Sequence, residues 1–218
     1  MGTPPPGEFL HGATPYDLCW TEAIAGCPLC WRSGQVWAEP FLAEPAGLQA
    51  SKAGWLECLL AITRLQVTAA RGQYPVCQPL MRGPVDMAAA ALGDEAFCLA
   101  LVDHPEESRA LLRSCTELFI GIATSWRGEA PLVAGGSCLY GLWAPGNSVR
   151  TQCDNAALLS PDLYREFLLP GDERICASFA GPIPLNSRQS RGSVSLIFRK
   201  VLNLVRIARA TSRADWSR

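Results

Sequence analysis

The apolar positions of residues 54–71, GWLECLLAITRLQVTAAR, fall mostly at helical spacing. Trp55, Leu56, Leu59, Leu60, Ile62 and Val67 define one side of an expected helix, and Gly72 is its natural stop. A longer stripe runs through 103–127, where Leu111, Leu112, Cys115, Leu118, Phe119, Ile122 and Trp126 share a face. Asp103 reads as its N-cap, and Glu106, three residues on, completes a capping box. Between these helices, YPVCQPLM (74–81) is a short apolar run interrupted by prolines, the pattern of a buried strand. Gly83 then allows a tight turn, Pro84 suits a first helical position, and VDMAAAAL is a helix ended by Gly93.

Further along, APLVAGGSCLYGLWAPG (130–146) and SVRTQCDN (148–155) read as strands, the second ending at Asp154-Asn155. Ser160 caps a helix whose first position is Pro161, and Asp162 sits where the helix dipole favours a negative charge. Leu163, Phe167 and Leu168 form its apolar side. Pro170 is expected to break it, and ICASFAG (175–181) returns to strand character. Strands alternating with helices argue for an α/β fold with parallel strands. Residues 1–50, rich in Pro, Gly and Trp, read as an irregular arm.

Composition adds limits. The chain has 218 residues, 49% hydrophobic and 18% charged, as in a soluble globular protein. Its net charge of −1 favours neither nucleic acid nor a membrane surface. Residues 1–180 hold 11 Lys+Arg against 19 Asp+Glu, whereas residues 181–218 hold 8 Lys+Arg and one acid, Asp215. An acidic body thus meets a basic tail. The ten cysteines are spread through the body, several within apolar runs, which fits thiols in a reducing cytoplasm. No basic segment followed by an apolar one opens the chain, and no apolar run approaches the roughly 20 residues of a membrane span. Cys27-Pro28-Leu29-Cys30 has the spacing of a zinc or redox motif. No second pair follows, and the histidines, His11 and His104, lie far apart, so a structural reading is preferred.

RGPVDMAAAALGDEAFCLALVDHPEESRALL, YGLWAPGNSVRTQCDNAALLSPDLYREFLLP and RICASFAG resemble the uroporphyrinogen decarboxylase superfamily over about residues 70–182. The strongest part is Asp154 followed by Ser160, Pro161, Asp162, Leu163, Tyr164, Arg165, Glu166, Phe167, Leu168, Leu169 and Pro170. The resemblance implies a (β/α)8 TIM barrel with its site at the carboxyl ends of the strands. A whole barrel needs about 250 residues, so the expectation is a partial barrel over 51–182. An N-terminal arm over 1–50 and a divergent basic tail over 183–218 flank it. The family's main reaction is cofactor-free decarboxylation of tetrapyrrole acetate side chains in porphyrin biosynthesis. Relatives transfer methyl groups to or from thiols and corrinoids, commonly with zinc.

The chain departs from the family pattern in several places. Residues 1–50 hold no arginine-rich motif, Arg32 standing alone there. Val85-Asp86 follows the Gly-Pro turn where decarboxylases carry aromatic, Thr or Ser residues. No His or Cys follows Cys176, although the methyl-transfer relatives place zinc ligands there. Resemblance and charge balance change together near residue 182. That fits a change of reading frame or a degraded gene; the competing reading is a basic amphipathic helix, with Ile197, Val201, Leu204, Val205 and Ala208 on one face.

Arg82 and Asp86 occupy the end of an expected strand and the start of an expected helix, where α/β folds bind ligands. Asp86 and Asp154 are the candidate catalytic carboxylates, able to stabilise positive charge on a protonated pyrrole. The bland alternatives are a helix-start charge for Asp86 and a turn-forming Asp for Asp154. Arg82 is the candidate for binding an acidic substrate, and Tyr140 and Asn155 for neutral hydrogen bonds. The first expectation is therefore a cytoplasmic decarboxylase acting on an acidic tetrapyrrole, without cofactor, metal or nucleic acid, and with a homodimer left open. The alternatives are a corrinoid- or thiol-linked methyltransferase, which would bring in zinc or a corrinoid, and a non-catalytic truncated remnant.

Overall fold

The computed structural model describes residues 12–15, 19–50, 54–139 and 142–179. Tyr140 and the basic tail lie outside them. The fold is a mixture of helices and short strands. Helix α1 (Trp20–Ala25) is followed by the hairpin β1 (Leu29–Arg32) and β2 (Gln35–Ala38). Then come α2 (Trp55–Ala70), α3 (Pro84–Leu92), α4 (Asp94–Asp103) and α5 (Pro105–Glu129). A second hairpin, β3 (Gly136–Leu139) and β4 (Leu142–Pro145), leads to a 3-10 turn at Asn155–Leu158. The last helical stretch comprises α6 (Pro161–Leu163), a π-turn (Tyr164–Leu168) and α7 (Leu169–Ser178).

One core joins the helices. The stripe of α5 buries Leu111, Leu112, Cys115, Phe119, Ile122 and Trp126 against α2, α3 and α7. Helix α3 is buried almost throughout, which its Met87 and run of alanines permit: small side chains let neighbouring helices approach on every side. Trp20 of α1 meets Trp55 of α2 edge-on, ring centroids 6.4 Å apart.

Several expectations are corrected. The N-terminal region contains α1 and a hairpin, whose turn is made by Ser33 and Gly34, both at positive φ. Asp103 is the last residue of α4 and caps nothing; α5 starts after His104 with Pro105 at its first turn. Within 130–146, β3 and β4 pair antiparallel instead of forming one strand. Pro170 does not end the helix, and Ile175–Ser178 are helical instead of extended. A proline inside a helix loses one backbone bond and presses on the carbonyl four residues back. The π-turn just before it widens the backbone spiral and accommodates that ring. Tyr164 spans the proline by donating to Asp172 Oδ2 at 2.5 Å.

The expected strands at 74–81 and 148–155 are extended segments tied by single parallel bridges. Val76 pairs with Ala13, Gln78 with Leu139, and Arg82 with Gln152. The two sheets among the described residues are both two-stranded and antiparallel. Buried Gln78 replaces a missing rung. Its Nε2 donates to the Arg150 carbonyl at 2.6 Å and its Oε1 accepts from the Arg150 N–H at 2.9 Å. The side-chain amide thus bonds like a peptide group of a neighbouring strand.

The Ser160 cap forms as the sequence implies, its Oγ accepting from Leu163 N at 3.2 Å. Ser160→Ala is expected to cost about 1 kcal/mol, measured as a lower urea midpoint at unchanged slope.

Candidate functional site

The extended segment before α3, the first turn of α3 and the loop after residue 150 meet at one place. The Gly83 N–H donates to the Gln152 carbonyl at 2.7 Å. This brings the start of α3 beside Asp154 and Asn155. Asp86, in the first turn of α3 and only 2% exposed, accepts from both. Its Oδ2 takes the Asp154 N–H and its Oδ1 the Asn155 N–H, each at 3.0 Å. One carboxylate therefore fixes the turn that presents Asp154.

Burial pushes the Asp86 carboxyl up from its ordinary 3.8 to about 7, against the lowering effect of those two N–H donors. Asp154 adds to the rise and Arg82 opposes it. The Asp154 side chain is half-buried and accepts from Gln152 Nε2. The Asn155 amide donates to Asp94 Oδ1 at 3.1 Å, tying the turn to the start of α4.

Arg82 is not an isolated cation. Its Nη1 lies 3.2 Å from Glu22 Oε1, on α1. Glu22 is fully buried, and its other oxygen accepts from the Thr21 hydroxyl at 2.9 Å. Burial raises the Glu22 carboxyl above its usual range, with Arg82 opposing. Cys19 lies close enough to feel both: burial, then Glu22, push its thiol up to about 11, while Arg82 pulls it down.

The structure therefore brings four of the five residues singled out in the sequence to one end of the 75–82 segment: Arg82, Asp86, Asp154 and Asn155. Tyr140 lies outside the described residues. Sequence reasoning missed Glu22. Its one available signal was a single acid inside the otherwise apolar CWTEAIAGC. It also missed the pair behind the site, Tyr164 and half-buried Asp172, whose carboxyl burial raises to about 6. A cavity of about 10 Å³, room for roughly one water, is bordered by Gly83, Thr151, Cys153 and Asp172.

Cys27 is buried and Cys30 is the second residue of β1, and among the described residues no three His, Cys, Asp or Glu gather as a metal site requires. No helix of the described residues is long and apolar enough to cross a membrane.

No family model matches the sequence, and a search of curated proteins returns no match. Among solved structures, a methyltransferase from Methanosarcina mazei has a similar fold, with a TM-score of 0.61 at 18% identity. The match covers 80% of this chain and 50% of that one, so the chain spans about half the length of its structural relative. At that identity the likeness is one of fold.

Proposed function

We propose that the chain is a methyl-transfer unit, with a partial (β/α) barrel of the uroporphyrinogen decarboxylase superfamily over 51–182. In this reading it moves a methyl group between a corrinoid or other small carrier and a thiol. The observation that carries the proposal is the charge of the site. Arg82 is matched by Glu22, and the other titratable groups of the cluster, Asp86 and Asp154, are both acids. Such a site has no net positive charge to hold a polycarboxylate, whereas it suits a neutral or cationic methyl carrier. The fold likeness to a methyltransferase points the same way.

In this reading a thiol loses its proton to the Asp154 carboxylate. Its sulfur then attacks the methyl carbon, and the carrier departs with the electron pair of the broken bond. Asp86 positions Asp154 by clamping its backbone, and Asn155 and Arg82 orient the substrate. Zinc, common among the methyl-transfer relatives, does not fit the described residues, because no three ligands converge among them.

The test is incubation of the full chain with methylcobalamin and a small thiol. Loss of the methyl–cobalt absorbance and appearance of the methyl thioether by mass spectrometry are expected. Asp154→Asn should slow transfer about 100-fold, the lower range for loss of a proton acceptor. Stepwise decarboxylation of uroporphyrinogen by the same preparation, without methyl transfer, would overturn the proposal.

A further inference from the structure

About five residues before Arg82, roughly 16 Å back along an extended chain, two buried cysteines face each other. Gln78 and Leu139 are partners in a parallel bridge, and Gln78 N donates to the Cys138 carbonyl at 2.9 Å. The same register sets Cys77 directly across from Cys138. Neighbouring strands lie about 4.8 Å apart, within the Cα spacing that a disulfide spans. The two sulfurs are already in contact, 2.7 Å apart. The thiolate is the reactive form of either cysteine.

We propose that Cys77 and Cys138 form a redox modification site, a dithiol that closes to a disulfide under peroxide. The Cys138 thiolate attacks one oxygen of hydrogen peroxide and breaks the O–O bond. This gives a sulfenic acid and hydroxide, which takes up a proton to become water. The Cys77 sulfur then displaces the sulfenic hydroxyl, which leaves as water with the Cys77 proton, and the S–S bond forms. Two electrons pass from the two sulfurs to peroxide. The bond closes a loop across a separation of 61 residues and pins the segment that carries Arg82 to β3.

The experiment treats the native, pre-reduced full chain with hydrogen peroxide, alkylates the remaining thiols in denaturant and maps the peptides without reduction. A single linked pair joining Cys77 to Cys138 is expected, together with a Tm several degrees higher. Cys77→Ser should leave a sulfenic acid on Cys138 that dimedone traps. Links among other cysteines, or oxidation of exposed Cys58 while Cys77 and Cys138 stay alkylatable, would overturn the proposal. The mapping is done on the natural sequence, so misfolding of a variant does not affect its result.

Discussion

Gly83→Ala is expected to destabilise the fold by about 3 kcal/mol, the upper end for forcing an extra carbon into packed space. A Cβ at residue 83 would meet Thr151 Oγ1 at 2.3 Å and the Gln152 carbonyl oxygen at 2.7 Å. The second obstacle is backbone and cannot rotate away. The glycine is needed for closeness, since its φ of −78° is open to any residue. Relief would require parting the 75–83 and 148–153 segments, which would also break the Gly83–Gln152 hydrogen bond and move Asp154 away from Asp86. Gly121→Ala provides the contrast. It lies within α5 with nothing inside 4 Å of the added carbon, so alanine should stabilise by about 0.5–1 kcal/mol. Urea unfolding of both variants checks the pair. A cost below about 1 kcal/mol at Gly83 would show that the segments are not closely apposed.

The second large effect is a dependence on pH. The folded state holds the Asp86 proton more tightly than the unfolded chain, with a carboxyl raised from 3.8 to about 7. Stability from this group is complete below the ordinary value and is lost as pH rises through about 7. A shift of this size corresponds to on the order of 4 kcal/mol. Asp172 adds the same sign of dependence over a lower window, up to about 6. Glu22 is also raised. The Asp86 share is therefore read from the difference between the natural chain and Asp86→Asn. At pH 4.5 the variant should be less stable by about 1–3 kcal/mol, having lost one acceptor for a backbone N–H. By pH 8.5 that gap should close or reverse, because the amide carries no buried charge. A gap that stays constant across the range, measured by urea unfolding at each pH, would rule out titration of Asp86 in this window.

Helices α2 and α3 are legible in the sequence because their apolar period, Pro84 and Gly93 all agree with the fold. The Ser160 cap is legible because one hydroxyl and one N–H, three residues apart, make it. Asp103 misleads for an equally local reason. Ser-Thr-Asp capping rules assume that a helix is starting, and here one was ending: α4 and α5 are divided by His104 alone. Pro170 misleads because the π-turn that absorbs it has no side-chain signature. The site divides in the same way. Asp86 and Asp154 stand out at expected element ends, but their connection runs through backbone N–H groups, which the sequence does not display. Glu22 is hidden by distance, because its partner Arg82 follows sixty residues later.

The long reach of these contacts has a consequence for the order in which the molecule folds. Helices α3, α4 and α5 follow one another closely, so their packing closes short loops. The Gln78–Arg150 pairing and the contacts of Asp86 with Asp154 and Asn155 each close loops of 68 to 72 residues. Each is only one or two hydrogen bonds strong, too few to offset that closure entropy alone. They must wait until the helices have brought the two segments together. The polar cluster is thus a late-forming part of the protein, and the amides of Asp154 and Asn155 should exchange with solvent well before those at the centre of α5.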